Sequence, residues 1–553
     1  MTEKLNTARI QQLSRRTFLK LSGGLVGTAA LAACAPSSPA PAPTVAPAEP
    51  AATAAPAESA AAAEPAAPAK EPGEVVVALN GENIPTEPME LMSEAFQDTF
   101  PEIEIAWEFP NLGAGDYPQW LGTQVAAGDI RPDVVSGNYL SSYNGYVNLD
   151  QYRKTTNPFT GNPWDEDIQW DALRGTNSKG ERIMIHMRSV HTYWFYNQEI
   201  FDSVSVAPPT TWDEFLAVND ALLTAGHTPM SINYIWQAPQ WLAEIYFDQY
   251  HIDWVEVVRA QPGDWNFEPD KDGVFVFDPK DPFIHEKYTY NVQRFLNGIL
   301  EGTLRFDTAE VADLVNNMAK MFPEYATEDF FVISDAYAPF LQQQTAIMSN
   351  GTWSIPTMIN DMESISPERL AQLEIETDIT PFAWSTFENP SMMTSLVQTP
   401  AKAVESAPGP YLSIINKNQE QVDRSLAFVM FFSTAPGFSL WNEGLRQAKE
   451  FNPAGPLLVN NMQDPPEIQE LWDQLTFTGN AETNYNGFWT SAGGGDFQTD
   501  LRNLLKNALE ETITPDEYAT QLQAYITDNL EGIIERSNLS MNDITNPARA
   551  PGA

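Results

Sequence analysis

Arg188 and His191 are the side chains of this sequence that most need a chemical explanation, because they stand inside the largely apolar crossing 182–196. A guanidinium or imidazole in such a run must meet a buried partner or face a ligand. His186 precedes His191 by five residues, without the glutamate that a zinc-protease helix carries, and both stand on strand-like sequence. A hydrolytic metal centre is therefore not expected, and for either histidine a buried hydrogen bond weighs as much as ligand contact. Glu268, Asp270, Asp272 and Gly273 have the opening spacing of a calcium loop, yet Pro279 occupies the place of the bidentate glutamate. A turn at 272–273 joining two strands is the expected reading. Gly493, Gly494 and Gly495 precede a helical pattern and could cradle an anion. No Lys-Ser or Lys-Thr follows them, so a flexible loop is expected. With no catalytic motif, the chemistry these residues suggest is non-covalent binding: no enzyme, no metal and no cofactor.

Composition narrows the classes further. Cys34 is the only cysteine of the 553 residues, which excludes an intrachain disulfide, a cysteine-ligated metal and thiol catalysis in the folded body. The balance of 74 acidic against 30 basic residues gives a net charge of −44, with no basic cluster in the body, so nucleic acid is not an expected partner. The length exceeds what one core usually serves, and with 43% hydrophobic residues two or more lobes can each bury one.

The start of the chain accounts for the lone cysteine. Residues 14–20, SRRTFLK, match the twin-arginine export pattern, and 21–33 is an apolar Gly/Ala-rich run shorter than the roughly 20 residues a membrane span needs. Leu31-Ala32-Ala33-Cys34 reads as a lipoprotein cleavage box, with Cys34 lipidated and becoming the new N-terminus; an ordinary secretory peptide is the weaker reading. Residues 35–72 are nearly all Pro, Ala, Ser, Thr and Glu and cannot bury enough apolar surface to order themselves. Extended at about 3.1 Å per residue, this tether reaches on the order of 100 Å.

The elements that must position a site begin at Glu74. Residues 75–79 are a continuous apolar run, as in a strand buried on both faces; 103–109 alternates; 133–135 is a third short strand; helical patterns separate them. Strand, helix, strand, helix, strand predicts an α/β lobe with a mainly parallel sheet, whose ligands sit beyond the carboxyl ends of its strands. Glu82 and Asn83 on one such loop, and Asn138 and Tyr139 on another, are therefore candidate polar contacts. The run 180–215 is the crossing out of this lobe: two strand-like segments, a break at Pro208 and Pro209, and a capping box at Thr211 and Glu214 that opens a helix carrying Phe215, Val218 and Leu222 on one face. Residues 216–377 are mostly helical, with an acidic, aromatic insertion at about 254–281. Leu501, Leu504, Leu505 and Leu509 are expected to face inward from a later helix.

The order in 180–215 (Gly-x-x-Ile, an apolar strand, Tyr-Asn, an acidic-Ile-Phe turn, then Pro-Pro-x-Thr-Trp-Asp-Glu-Phe) resembles the lobe crossing of family 1 extracellular solute-binding proteins, the maltose-binding-protein-like sugar-binding lipoproteins of ABC importers. FLQQQTAIMSNGTWSIP at 340–356, YLSIINK at 411–417 and TPDEYA at 514–519 continue the likeness, which covers most of 74–535. The sequence departs from the family at His186, where proline is usual, and at 407–410, which lacks the usual Gly-Gly. The resemblance implies the two-lobe periplasmic-binding-protein fold (type II, Venus-flytrap), α/β, with discontinuous lobes joined by a hinge. The organisation expected is a signal peptide at 1–33, a tether at 34–72, an N-terminal lobe from 73–190 and 378–435, a C-terminal lobe from 191–377 and 436–540, and a tail at 541–553.

The resemblance also places Trp236, Trp353 and Trp489 at cleft positions, where flat rings would stack on sugar C–H faces and amides, carboxylates and Arg188 would meet hydroxyls. It implies a monomeric, extracytoplasmic, lipid-anchored protein that captures a saccharide by hinge closure and passes it to the permease of an ABC importer. A polyamine, peptide or metal complex as the solute, or a secreted glycoside-active enzyme with two carboxylates flanking the bond, are the alternatives.

Overall fold

Val75, Val77, Val134, Leu412 and Ile414 are all fully buried, and they line up in one five-stranded sheet. The computed structural model describes residues 72–80, 84–108, 116–140, 143–177, 179–333, 335–483 and 485–551, with Asn138 and Tyr139 as backbone alone. The segments expected to be signal peptide and tether, Cys34 among them, lie outside these residues except for the last of the tether, as do Glu82 and Asn83.

The first sheet contains β1 (Gly73–Ala78), β2 (Ile103–Glu108), β3 (Val134–Val135), β4 (Ile185–His186) and β10 (Tyr411–Ile414), in the order β2-β1-β3-β10-β4. β1 pairs in parallel with β2 and β3, while β10 runs antiparallel to β3 and β4. The expected parallel core is therefore present, with the late strand β10 inserted against it. The second sheet is built from β5 (Val190–Asn197), β6 (Thr228–Ser231), β7 (Thr345–Gly351) and β8 (Trp384–Phe387), ordered β6-β7-β5-β8; the short β9 (Glu405–Ser406) pairs with the start of β5. The crossing is thus two strands in two sheets: β4 closes one, and four residues later β5 enters the middle of the other.

Each sheet has its own core. The first gathers Phe96, Trp164, Ile185, Leu412 and Phe428. The second, much larger, gathers Trp194, Trp212, Phe215, Phe247, Trp489 and Ile526. The Thr211 capping box forms with both reciprocal bonds, and Phe215, Val218 and Leu222 are buried as their spacing requires. Leu501, Leu505 and Leu509 are buried and Leu504 packs against the same core.

Several elements differ from the expectation. The insertion at 254–281 holds no strand: Asp272 braces a turn, accepting from the backbone N–H of Thr289 at 2.6 Å and of Glu268 at 2.9 Å, so its carboxylate closes a loop instead of joining two strands. The helix Ala435–Gln447, which sequence grouped with the second lobe, packs Phe438 and Trp441 into the first core. The final stretch at 541–553 is more than a tail, because the helix Met541–Ile544 buries Ile544 in the second core. A single amphipathic face does not state which of two cores it will meet. Among the described residues no helix is long and apolar enough to cross a membrane, and no three His, Cys, Asp or Glu side chains are grouped to hold a metal.

Candidate ligand-binding site

Trp236, Trp241 and Trp353 form a continuous aromatic ledge. Trp236 and Trp241 meet edge to face with centroids 4.4 Å apart, and Trp241 and Trp353 meet at 5.5 Å. Trp241 is buried, whereas Trp236 and Trp353 are half-exposed and lean on the second core. A buried ring backing two partly open ones is an arrangement that can offer flat apolar faces to a ligand.

Local structure explains how the rings come to lie there. Residues Gln237–Leu242 form a turn of π-helix, a rare geometry that is frequent at functional sites. It places Trp241 against the ring of Trp236, five residues back. Asn233 starts this turn: its Oδ1 accepts from the N–H groups of Ile235 and Trp236, and its own N–H donates to Gln237 Oε1 at 2.8 Å. Gln237 in turn donates to the carbonyl of Ser349 at 3.1 Å, tying the turn to β7. Trp353 follows β7 directly and opens the helix Ser354–Ser364. A Cβ at Gly351 would lie 2.0 Å from the indole of Trp353, so only glycine lets that ring fold back over the strand end.

The crossing holds the ledge from beneath. Thr352 N–H donates to the carbonyl of His191 at 2.9 Å, and Thr352 Oγ1 donates to the carbonyl of Ala454 at 2.8 Å. Asn452 reaches Thr357 Oγ1 at 3.0 Å, which brings the returning segment 452–457 to the rim of the tryptophans.

The other candidates stand elsewhere. Trp489 is fully buried, stacked near Phe247 and edge-on to Tyr518 in the second core, so the cleft position expected for it is corrected to a core position. Arg188 is buried and spends its guanidinium on Asp464, with contacts of 2.6 and 2.7 Å, and on the carbonyl of Gly455. This corrects its reading as a ligand contact: the arginine found a buried partner 276 residues away. His191 is likewise buried, hydrogen-bonded to Ser189 Oγ at 3.1 Å, 3.6 Å from Glu405 and packed on Phe477. Burial lowers its pKa to about 4 against the pull of Glu405. His186 accepts from the N–H of Arg174 and donates to the carbonyl of Arg188, both at 2.7 Å, and burial holds it neutral with a pKa of about 3. His186 thus has both ring nitrogens satisfied inside the fold, while His191 is held through Nε2 alone and its buried Nδ1 has no partner. Asn138 and Tyr139 belong to a 3₁₀ turn, Gly137–Leu140, directly after β3, at the strand end expected of them; their side chains lie outside the described residues.

Sequence reasoning missed Trp241. The signal was present: two tryptophans five apart, with Pro239 between them, fit neither face of an ordinary α-helix. Asp464 and Glu405, the buried carboxylates that hold Arg188 and Arg174, were also missed, since nothing local marks them.

A family model described as bacterial extracellular solute-binding protein matches residues 81–383. Among solved structures the fold is similar to a family 1 extracellular solute-binding protein from Bifidobacterium longum subsp. infantis, at 12% identity and TM-score 0.51, over 83% of this chain and 99% of that one. It is also similar to a chitin oligosaccharide binding protein, at 13% identity and TM-score 0.51, over 83% and 99% of the two chains. A third similar structure comes from work on xylan utilization by Caldanaerobius polysaccharolyticus, at 15% identity and TM-score 0.50, over 82% and 100%. At these identities the likeness is one of fold. No curated protein matches the chain.

Proposed function

The chain belongs to the bacterial extracellular solute-binding proteins, and from that premise we propose that it captures a carbohydrate, an oligosaccharide in particular, and delivers it to the permease of an ABC importer. The observation that carries this reading is the tryptophan ledge: two half-exposed indoles backed by a third, at the end of β7 and beside the crossing between the sheets. A sugar ring laid on Trp236 or Trp353 buries its C–H face without dehydrating its hydroxyls. The loops after β1 and β3, with Glu82, Asn83, Asn138 and Tyr139, supply directional polar groups from the first sheet. The ligand bridges the two sides, and its greater affinity for the closed form shifts the population toward the state the permease recognises. The chain acts as a monomer, performs no chemistry on the solute and leaves ATP hydrolysis to the importer.

Export by the twin-arginine route, cleavage before Cys34 and lipidation of that thiol place the protein on the outer face of the membrane, tethered by residues 35–72. The test is a calorimetric and thermal-shift panel of neutral oligosaccharides, polyamines and peptides. The expected result is a saccharide-dependent rise in Tm, since a ligand at a hundred times its Kd stabilises by about 2.7 kcal/mol, with binding weakened in Trp353→Ala. A Tm response to polyamines alone, or turnover of the oligosaccharide, overturns the reading.

A further inference from the structure

A cavity of about 600 Å³ that shares no lining residue with the tryptophan ledge has walls from both cores: Leu173 belongs to the first, Phe295 and Phe488 to the second. In a chain with 30 basic against 74 acidic residues, this cavity brings Arg174, Arg182 and Lys271 to one lining. Arg174 is neutralised by Glu405 and by Glu286, the latter at 2.8 Å. Arg182 and Lys271 are held less closely. The guanidinium of Arg182 donates to the carbonyl of Leu173, its nearest carboxylate, Asp150, stands 3.9 Å away, and its Nε has no partner. Among the described residues the ammonium of Lys271 makes no hydrogen bond and no ion pair. Burial lowers the pKa of both groups; Asp150 attracts Arg182 and Asp272 attracts Lys271, against the repulsion of Arg174 on Arg182 and of Arg182 on Lys271.

Repelling cations in a partly dehydrated cavity are costly unless an anion joins them. A second, independent observation points the same way: Thr289 is 1% exposed, lines the cavity, and its Oγ1 has no hydrogen-bond partner. A Cβ at Gly180, whose φ is +75°, would lie 3.0 Å from the Thr289 side chain, so a glycine there lets the 175–182 loop close against this hydroxyl. Half-exposed Trp265 offers a flat face, and Glu482 and Asn480 offer acceptors and donors for hydroxyls.

We propose that this cavity is a second binding site, for a small hydroxylated oxyanion, whose carboxylate or phosphate is held by Arg182 and Lys271 and whose body lies on Trp265. The volume is within the 300–1,000 Å³ usual for small-ligand sites. The proposal stands independently of the oligosaccharide reading.

The experiment is calorimetry on the full-length protein with glucuronate, glucose 6-phosphate and, as their neutral counterpart, glucose, repeated on Lys271→Met, Thr289→Val and Trp353→Ala. Binding of glucuronate or glucose 6-phosphate but not of glucose is expected, and which of the two binds tells carboxylate from phosphate. Lys271→Met should weaken the anion at least tenfold and Thr289→Val less, while Trp353→Ala leaves it unchanged. A folded Lys271→Met protein that binds the anion as tightly as the parent, loss of anion binding in Trp353→Ala, or no binding of either anion refutes the second site.

Discussion

Two tryptophans with equal claims on a ligand from sequence have opposite roles in the fold. Trp353 stands half-exposed at a strand end, its ring admitted by Gly351; Trp489 is sealed in the second core with its Nε1 donating to the carbonyl of Ala243 at 3.4 Å. Their substitutions should therefore separate binding from stability. Trp353→Ala is expected to weaken saccharide affinity by about 1–3 kcal/mol, the range of aromatic stacking, with little change in the denaturation midpoint. Trp489→Ala should cost about 3–5 kcal/mol of stability by opening a cavity among close-packed rings. Isothermal calorimetry beside urea denaturation measures both, and a Trp489→Ala protein that keeps its stability while losing ligand would return that residue to the cleft.

At the scale of elements, the crossing is held by groups from distant parts of the chain. Arg188 lies between β4 and β5 and clamps Asp464, whose second oxygen also accepts from Trp472 Nε1 at 3.0 Å. Truncating one partner strands a buried charge, so Arg188→Met should destabilise by about 3–5 kcal/mol, whereas Arg188→Met combined with Asp464→Leu should recover much of that loss. Denaturant titration of the single and double variants completes the cycle; a double variant no better than the single would mean the pair is not what holds the segment. The capping box at Thr211 is a local device by contrast. Thr211→Ala should cost about 1 kcal/mol, readable as a small fall in the denaturation midpoint.

The molecule as a whole carries buried histidines that couple its stability to pH. Burial holds His186 and His251 at pKa values of about 3 and His191 at about 4, against about 6.5 in an unfolded chain. Between those values the unfolded state binds more protons, so stability present above pH 6.5 is lost as pH falls, by about 2 kcal/mol per histidine at pH 5. Glu286 and Glu482, which burial raises to about 6 and about 7, and Glu244, which burial raises well above the usual carboxylate range, work the other way and contribute stability on the acid side. The histidine share is read as a difference: the change in urea midpoint from pH 7 to pH 5 should be less unfavourable in His186→Gln than in the parent. The same pH dependence in both proteins contradicts the neutral, buried state of the His186 ring. The lipid anchor proposed above has its own test: if Cys34 carries it, Cys34→Ser should abolish incorporation of labelled palmitate and release the protein from the membrane fraction, and unchanged labelling would rule that anchor out.

What the sequence by itself determined is whatever short-range physics encodes. The apolar run of β1, the alternation of β2, the capping box at Thr211 and the inward leucines of Gly495–Leu509 follow from periodicity and local hydrogen bonding, and each formed where its pattern stood. The motif at 180–215 carried the family because its five elements are contiguous. Only the tertiary structure decided which of two cores a helix joins, as with Ala435–Gln447, and which polar residue meets which. Arg188 is bound to a carboxylate 276 residues away and Trp489 is walled in by Phe247 and Tyr518, pairings that no spacing along the chain expresses. Burial and partnership are set by packing between distant segments, so a residue's chemical type can be read in one dimension while its availability to a ligand is settled only in three.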